Sequence, residues 1–177
     1  MDVLETERLV LRPFERDDLD DFYTYAKNPN VGPNAGWKPH ENKRESRRIL
    51  REFIEGEENW AITLKDEGKV IGSIGLHPDH KRDFEHARML GYVLSEPYWG
   101  RGLMTEAARR VVRYVFQKTS TVILSIYHYP YNTRSRRVIE KCGFRHEGTL
   151  RMAVRLFDGR VCDHVCYSMT REDFFSI

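Results

Sequence analysis

The stretch from Leu90 to Ala107 constrains this chain more than any other. An apolar segment, Leu90-Gly91-Tyr92-Val93-Leu94, runs out through Pro97 into a loop carrying Gly100 and Gly102. The loop opens directly into a helical repeat. A strand that turns into a helix through two glycines makes an anion cradle: the glycines let backbone approach a ligand, and the N–H groups of the helix start point at it. Arg101 adds a planar cation suited to phosphate. Two other cradles are excluded, because the chain lacks G-x-x-x-x-G-K-[ST] and Thr105 stands at the third Gly of G-x-G-x-x-G. Taken alone, the loop also fits a tight strand-to-helix turn with no ligand.

Composition narrows the class. A chain of 177 residues argues for one domain spanning 1–177, and at this size roughly 70% of the unfolded surface is buried without help from disulfides or metal. Lys+Arg of 29 against Asp+Glu of 27 leaves +2, which argues against a nucleic-acid partner. No apolar run reaches the roughly 18 residues of a membrane span, and Met1–Glu5 shows no basic-then-apolar secretory pattern. Three cysteines, Cys142, Cys162 and Cys166, are an odd number and read as reduced, so a cytoplasmic protein is expected.

Periodicity supplies the element order. Leu9–Phe14 reads as a strand. Leu19, Phe22, Tyr23 and Ala26 share a helical face, which Asn28-Pro29-Asn30 ends. A loop over 31–42 contains Trp37. Ser46, Ile49, Leu50, Phe53 and Ile54 form a second helix closed by Gly56, and its basic face (Lys43, Arg44, Arg47, Arg48, Arg51) reads as solvated. Trp60, Ile62 and Leu64 alternate as a strand, Asp66-Glu67-Gly68 turns the chain, and Lys69–Leu76 returns. Ala87–Leu94 is a strand, Met104–Phe116 a helix and Thr121–Tyr127 a strand. Thr133–Cys142 is a helix with Asn132 as N-cap and Gly143 beyond its end. Met152–Phe157 and Arg160–Met169 form a hairpin around Asp158-Gly159. The order is that of an α/β domain with a mixed sheet, antiparallel in its first half.

A second stretch, Asn132-Thr133-Arg134-Ser135-Arg136-Arg137-Val138-Ile139-Glu140-Lys141-Cys142-Gly143-Phe144, completes a joint pattern with the glycine loop. Together they resemble the GNAT superfamily of acetyl-coenzyme A-dependent N-acetyltransferases. Trp99-Gly100-Arg101-Gly102-Leu103-Met104 is similar to that family's pyrophosphate loop, and the second stretch to its N-x-x-(A/S)…E-K-x-G-F signature. The opening Glu5-Thr6-Glu7-Arg8-Leu9-Val10-Leu11-Arg12 and the closing Asp158-Gly159-Arg160-Val161-Cys162-Asp163 resemble the ribosomal-protein N-terminal (Rim-type) branch. The resemblance implies about seven strands in a central sheet splayed at the cofactor site, with about four helices around it.

It also implies residue roles. Backbone groups of Val93 and Leu94 would pair with pantetheine, and the N–H groups of Trp99 to Thr105 would hold the pyrophosphate. Asn132 would hydrogen-bond pantetheine, and Arg136, with Arg134, Arg137 and Lys141, would lie towards the adenosine end. Met104 stands where the family carries Gly or Ala and is expected to crowd the phosphates. Ile139 stands at the position of a Tyr acid in many members and cannot donate a proton, so the branch points to Ser135.

Acetyl transfer to an amine needs a proton acceptor, because an ammonium has no lone pair, and a donor near the thioester carbonyl. Met89 occupies the family's Glu position and cannot serve. His77, Asp79 and Asp163 remain as bases, beside water alone; His77 is chosen because imidazole titrates near neutral pH. Trp37 is either a wall of the acceptor pocket or a hydrophobic plug. Cys162, His164 and Cys166 share a strand face, but no fourth ligand with zinc spacing is evident, so no metal is expected. The reading is an N-acetyltransferase acting by direct transfer on a primary amine, a protein N-terminus or a small molecule, as a monomer or homodimer. A coenzyme A-binding module that has lost catalysis is the alternative, motivated by Met89, Met104 and Ile139.

Overall fold

The computed structural model describes residues 1–176. The strands are β1 (Leu4–Glu5), β2 (Leu9–Pro13), β3 (Asn59–Leu64), β4 (Val70–Pro78), β5 (Ala87–Leu94), β6 (Ile123–His128), β7 (Arg145–Arg155) and β8 (Val161–Thr170). The helices are α1 (Leu19–Ala26), α2 (Lys43–Gly56), α3 (Leu103–Lys118), α4 (Thr133–Lys141) and a last turn, α5 (Arg171–Phe175). The strands form one mixed sheet of eight in the order β1-β2-β3-β4-β5-β6-β8-β7. One strand more is present than expected, the two-residue β1, too short to leave a periodic signal. β1, β2, β3 and β4 pair antiparallel in sequence, whereas β5 and β6 are parallel. Among the described residues no helix is long and apolar enough to cross a membrane.

The chain packs as two compact units, residues 1–75 with 92–107, and residues 76–91 with 108 onward. In the first, Phe14, Phe22, Tyr25, Ala26, Leu50 and Ala61 are buried together. Phe22 meets Phe14, Tyr25 and Phe53 edge-on at ring separations of 5.8, 5.3 and 5.6 Å, the arrangement that aromatic quadrupoles favour. Tyr25, not Tyr23, fills the core position of α1. Tyr23 is half-buried, with the Lys27 ammonium 5.0 Å from its ring. Asn42 starts α2 by accepting from Glu45 N–H at 3.0 Å. On the exposed basic face of α2, Lys43 pairs with Asp20 and Arg48 with Glu52.

In the second unit α3 presents Ala108, Val111, Val112, Val115 and Phe116 as buried residues. Arg171 closes the end of that helix, donating to the carbonyls of Phe116 at 2.5 Å and Thr119 at 2.6 Å. A cation there also suits the helix dipole. β7 begins seven residues before the expected strand, at Arg145 rather than Met152. It is the sheet's last strand, and Arg145 to Thr149 are almost all exposed, so no alternation of apolar residues marks it.

α2 ends unlike its sequence suggests. Gly56 is its last helical residue and Glu57 takes the left-handed conformation at φ 49°. A side chain there is disfavoured. Glu57→Gly is therefore expected to raise stability by about 0.5–1 kcal/mol in urea denaturation; an unchanged midpoint would contradict the strained cap.

Candidate active site

In the first unit β5 runs into a single 3-10 turn, Glu96–Tyr98, ahead of the glycine loop. The turn is tied on several sides. Ser95 N–H donates to the Ile71 carbonyl at 2.7 Å, and the Trp99 indole N–H reaches back to the Leu94 carbonyl at 2.7 Å. The Glu96 carboxylate accepts from Asn28 Nδ2 at 2.8 Å and Asn30 Nδ2 at 2.9 Å. Trp99 also packs against the Phe14–Phe22 cluster, so its side chain anchors the loop.

Gly100 and Gly102 both adopt left-handed backbone, at φ 76° and 77°. Both are exposed, as is Arg101. Leu103 and Met104 are buried and pin the first turn of α3 beneath them. The first helical hydrogen bond runs from Glu106 N–H to the Gly102 carbonyl at 3.0 Å. The N–H groups of Leu103 and Met104 lie ahead of it, where helix geometry offers no carbonyl four residues back. The strand–loop–helix cradle read from the glycines is thus present, and a diphosphate suits its backbone donors. The Met104 side chain is buried, so at the surface of the loop the residue presents its backbone. The Arg101 guanidinium lies 5.4 Å from the Tyr98 ring centroid, a cation–π contact that holds it beside the loop.

Just upstream, β4 and β5 approach closely. A Cβ on Gly72 would lie 2.3 Å from the Val93 carbonyl oxygen and 3.0 Å from Leu94 Cα. Only glycine permits this course for the two residues expected to meet pantetheine. Trp37 is half-buried: it packs against the same core cluster, its ring 5.3 Å from that of His40. His40 is itself buried, with Nδ1 2.7 Å from Ser46 Oγ.

In the second unit the parallel register of β5 and β6 covers Ala87↔Ile123, Arg88↔Leu124 and Met89↔Ser125, while β6 runs on to His128. His77, near the end of β4, lies across Gly91 of β5: a Cβ there would be 3.6 Å from the imidazole Cδ2 and 3.7 Å from Nε2.

The other two candidate bases are committed elsewhere. Asp79 is buried and accepts from Tyr127 Oη at 2.6 Å and Lys81 N–H at 3.0 Å, with Arg82 Nε 3.3 Å away. Burial pushes its carboxyl up, but hydrogen bonds from Ser125, Tyr127 and Lys81 and the Arg82 charge outweigh it and hold it below the usual range. A carboxylate stabilised in this way is a poor proton acceptor. Asp163 accepts the Met152 N–H at 2.8 Å, where Met152 sits in left-handed backbone at φ 50° within an irregular stretch of β7. It clasps a bulge.

Asn132 caps α4 through Oδ1, which accepts from Ser135 N–H at 3.1 Å. Ser135 is half-buried in the first turn, and Ile139 is fully buried, a core residue. Arg136 is exposed and paired with Glu140 at 2.8 Å, an ordinary i,i+4 surface pair. His164 stacks flat on Tyr127 at 5.6 Å, and burial, with the Lys81 and His128 charges, pushes its pKa down to about 4.

The arrangement has relatives. The sequence profile of the acetyltransferase (GNAT) domain family matches residues 8–145. The chain belongs to the GNAT acetyltransferase family. The uncharacterized N-acetyltransferase p20 of Bacillus licheniformis is 28% identical over 98% of this chain and 99% of its own. The [ribosomal protein uS5]-alanine N-acetyltransferase of Escherichia coli is 34% identical over 62% of this chain and 55% of its own. A GNAT-family acetyltransferase from Bacillus anthracis superposes with a TM-score of 0.88 at 25% identity, over 97% of this chain and 99% of that one. The chain is thus a GNAT-fold N-acetyltransferase, of a family that uses acetyl-coenzyme A generally.

Sequence reasoning found this GNAT loop from its glycines but missed what holds it. Glu96 with its asparagines, and Glu106 with Arg8, join residues 66 to 98 positions apart, and no local spacing reveals them. The Gly72 contact gives the sharpest test of the site's backbone. Gly72→Ala should cost about 1–3 kcal/mol in thermal or urea unfolding, since the methyl meets backbone rather than a flexible side chain. Wild-type stability would contradict this approach of β4 and β5.

Proposed function

We propose that this GNAT enzyme transfers the acetyl group of acetyl-coenzyme A to a primary amine, and that the acceptor is a protein N-terminal α-amine. The observation that carries the donor is the cradle of two left-handed glycines opening α3. The acceptor class follows the Escherichia coli relative, which acts on an alanine of a ribosomal protein.

Bound acetyl-coenzyme A supplies a thioester carbonyl open to attack by nitrogen. The N–H groups from Gly100 to Thr105 hold its diphosphate, and Arg101 adds charge; the Trp99 N–H, expected among them, is donated to the Glu96 carbonyl at 3.1 Å instead. The backbone of Val93 and Leu94 lines pantetheine. Asn132 has its Oδ1 in the helix cap, so its hydrogen bond to pantetheine is donated by Nδ2. We assign the base to His77, the imidazole across Gly91 of β5; Asp79, held ionised by its donors, is a poor proton acceptor, and Asp163 clasps the β7 bulge. His77 accepts the ammonium proton, freeing the lone pair that forms the new C–N bond. As the C–S bond breaks, Ser135 Oγ gives a proton to the departing sulfur and is reprotonated by the proton that the nitrogen of the new C–N bond sheds, leaving a neutral amide and a free thiol. Trp37 borders the acceptor.

Thiol release tests this reading. An Ala-starting peptide should be acetylated at its α-amine, and the same peptide already N-acetylated should give none. Ser135→Ala should lower kcat about 10- to 1000-fold with little change in the acetyl-coenzyme A KM. Unchanged kcat at saturation would remove Ser135 as the acid. Binding of coenzyme A without turnover on α-amine, lysine and polyamine acceptors would favour a binding module.

A further inference from the structure

Arg8 belongs to the opening segment Glu5–Arg12, to which the proposed chemistry gives no task. Its contacts converge on the start of α3. The Arg8 backbone N–H donates to Glu106 Oε1 at 2.9 Å, Nε to Oε2 at 2.7 Å, and Nη2 pairs with Oε2 at 2.6 Å. Nη1 donates to the Arg101 carbonyl at 3.0 Å. A Cβ on Gly102 would lie 3.7 Å from Arg8 Nη2, so the guanidinium runs alongside the second glycine. Glu106 is held below the usual carboxylate range: burial opposes this, but hydrogen bonds from Thr6 and Arg8 and the Arg8 charge prevail.

Two consequences follow from elementary chemistry. In a trans peptide the carbonyl and the next N–H point in opposite directions. With the Arg101 carbonyl held on Arg8, the Gly102 N–H is turned away from Arg8, to the other side of the loop. Second, a carboxylate in the first turn of α3 shares that helix end with any bound anion and repels it. The fork of Arg8 cancels that charge, with Nε and Nη2 both on Oε2 while the Arg8 backbone N–H takes Oε1.

We infer that Arg8 is a positioning residue for the donor's diphosphate. It orients the Arg101–Gly102 peptide and neutralises Glu106, so that the loop's N–H groups face an anion without a competing charge. The inference rests on the reading of residues 100–105 as a diphosphate cradle.

Isothermal titration of coenzyme A into the full-length protein tests it, with turnover of acetylpantetheine, a donor without the diphosphate, as the second readout. Arg8→Met should weaken coenzyme A binding about tenfold or more, the scale of a lost charge-assisted hydrogen bond. The same variant should leave kcat/KM for acetylpantetheine within about twofold of wild type. Arg8→Met/Glu106→Gln should recover part of the loss, because no uncompensated carboxylate remains. Arg8→Lys keeps the charge but not the fork, and should fall between wild type and Arg8→Met; it carries the test if Arg8→Met fails to fold. Undiminished coenzyme A affinity in Arg8→Met and Arg8→Lys would overturn the inference. An equal loss with acetylpantetheine would overturn it too, by making Arg8 a general support of the fold. If the wild-type protein itself binds no coenzyme A, the cradle reading fails and the inference falls with it.

Discussion

A helix cannot satisfy its own first N–H groups, and this chain places that unavoidable deficit at a chosen spot. Gly100 and Gly102 take backbone angles that other residues resist, the chain reverses, and α3 begins with its donors beside an exposed loop. The surrounding contacts serve to fix this start. Leu103 and Met104 are buried under it, Trp99 and Glu96 tie the approach, and Arg8 holds the Arg101 carbonyl and the Glu106 carboxylate. On the proposed reading the loop offers a diphosphate its backbone and needs no particular side chain at its centre, which accounts for Trp99 and Met104 departing from the family's pattern. Their side chains are turned to packing.

The second unit fixes a different set of groups. Arg82 donates to Ser125 Oγ at 2.9 Å and to both oxygens of Glu147, at 2.7 and 2.6 Å, while approaching Asp79. Glu147 in turn accepts from Ser168 at 2.8 Å. One guanidinium thus ties the segment before β5 to β6 and to β7. This network is why Asp79 stays ionised although buried: Oδ1 accepts from Tyr127 and Lys81, and the Arg82 guanidinium lies 3.3 Å from Oδ2. Low proton affinity follows from good solvation by protein groups, and it separates Asp79 from His77 as a candidate base although both lie at the end of β4 or just past it.

Sequence and structure agree where a feature is local and disagree where it is not. The glycine loop, α3 and the Asn132 cap are local events, set by backbone angles and one-turn spacing, and all three were legible. So were the edges of β5, whose apolar run is bounded by charge and Pro97. Residues 145–149 of β7 were not, because an exposed edge strand carries no burial pattern. Tyr23 and Tyr25 could not be told apart by spacing in an eight-residue helix; the core contacts of Phe22 and Tyr25 decide between them. The clasps made by Arg8 and Arg82 were invisible for another reason. Each joins residues distant in sequence, and the same charges read equally well as solvated surface.

The central claim is that backbone N–H groups from Gly100 to Thr105 receive the donor's diphosphate. Amide chemical shifts measured by two-dimensional NMR on ¹⁵N-labelled protein, titrated with coenzyme A, test it most directly. The account predicts saturable, downfield shifts of the amide protons of Gly102, Leu103 and Met104, and none of comparable size when pantetheine replaces coenzyme A. Saturable coenzyme A binding that leaves these three amides in place would contradict it.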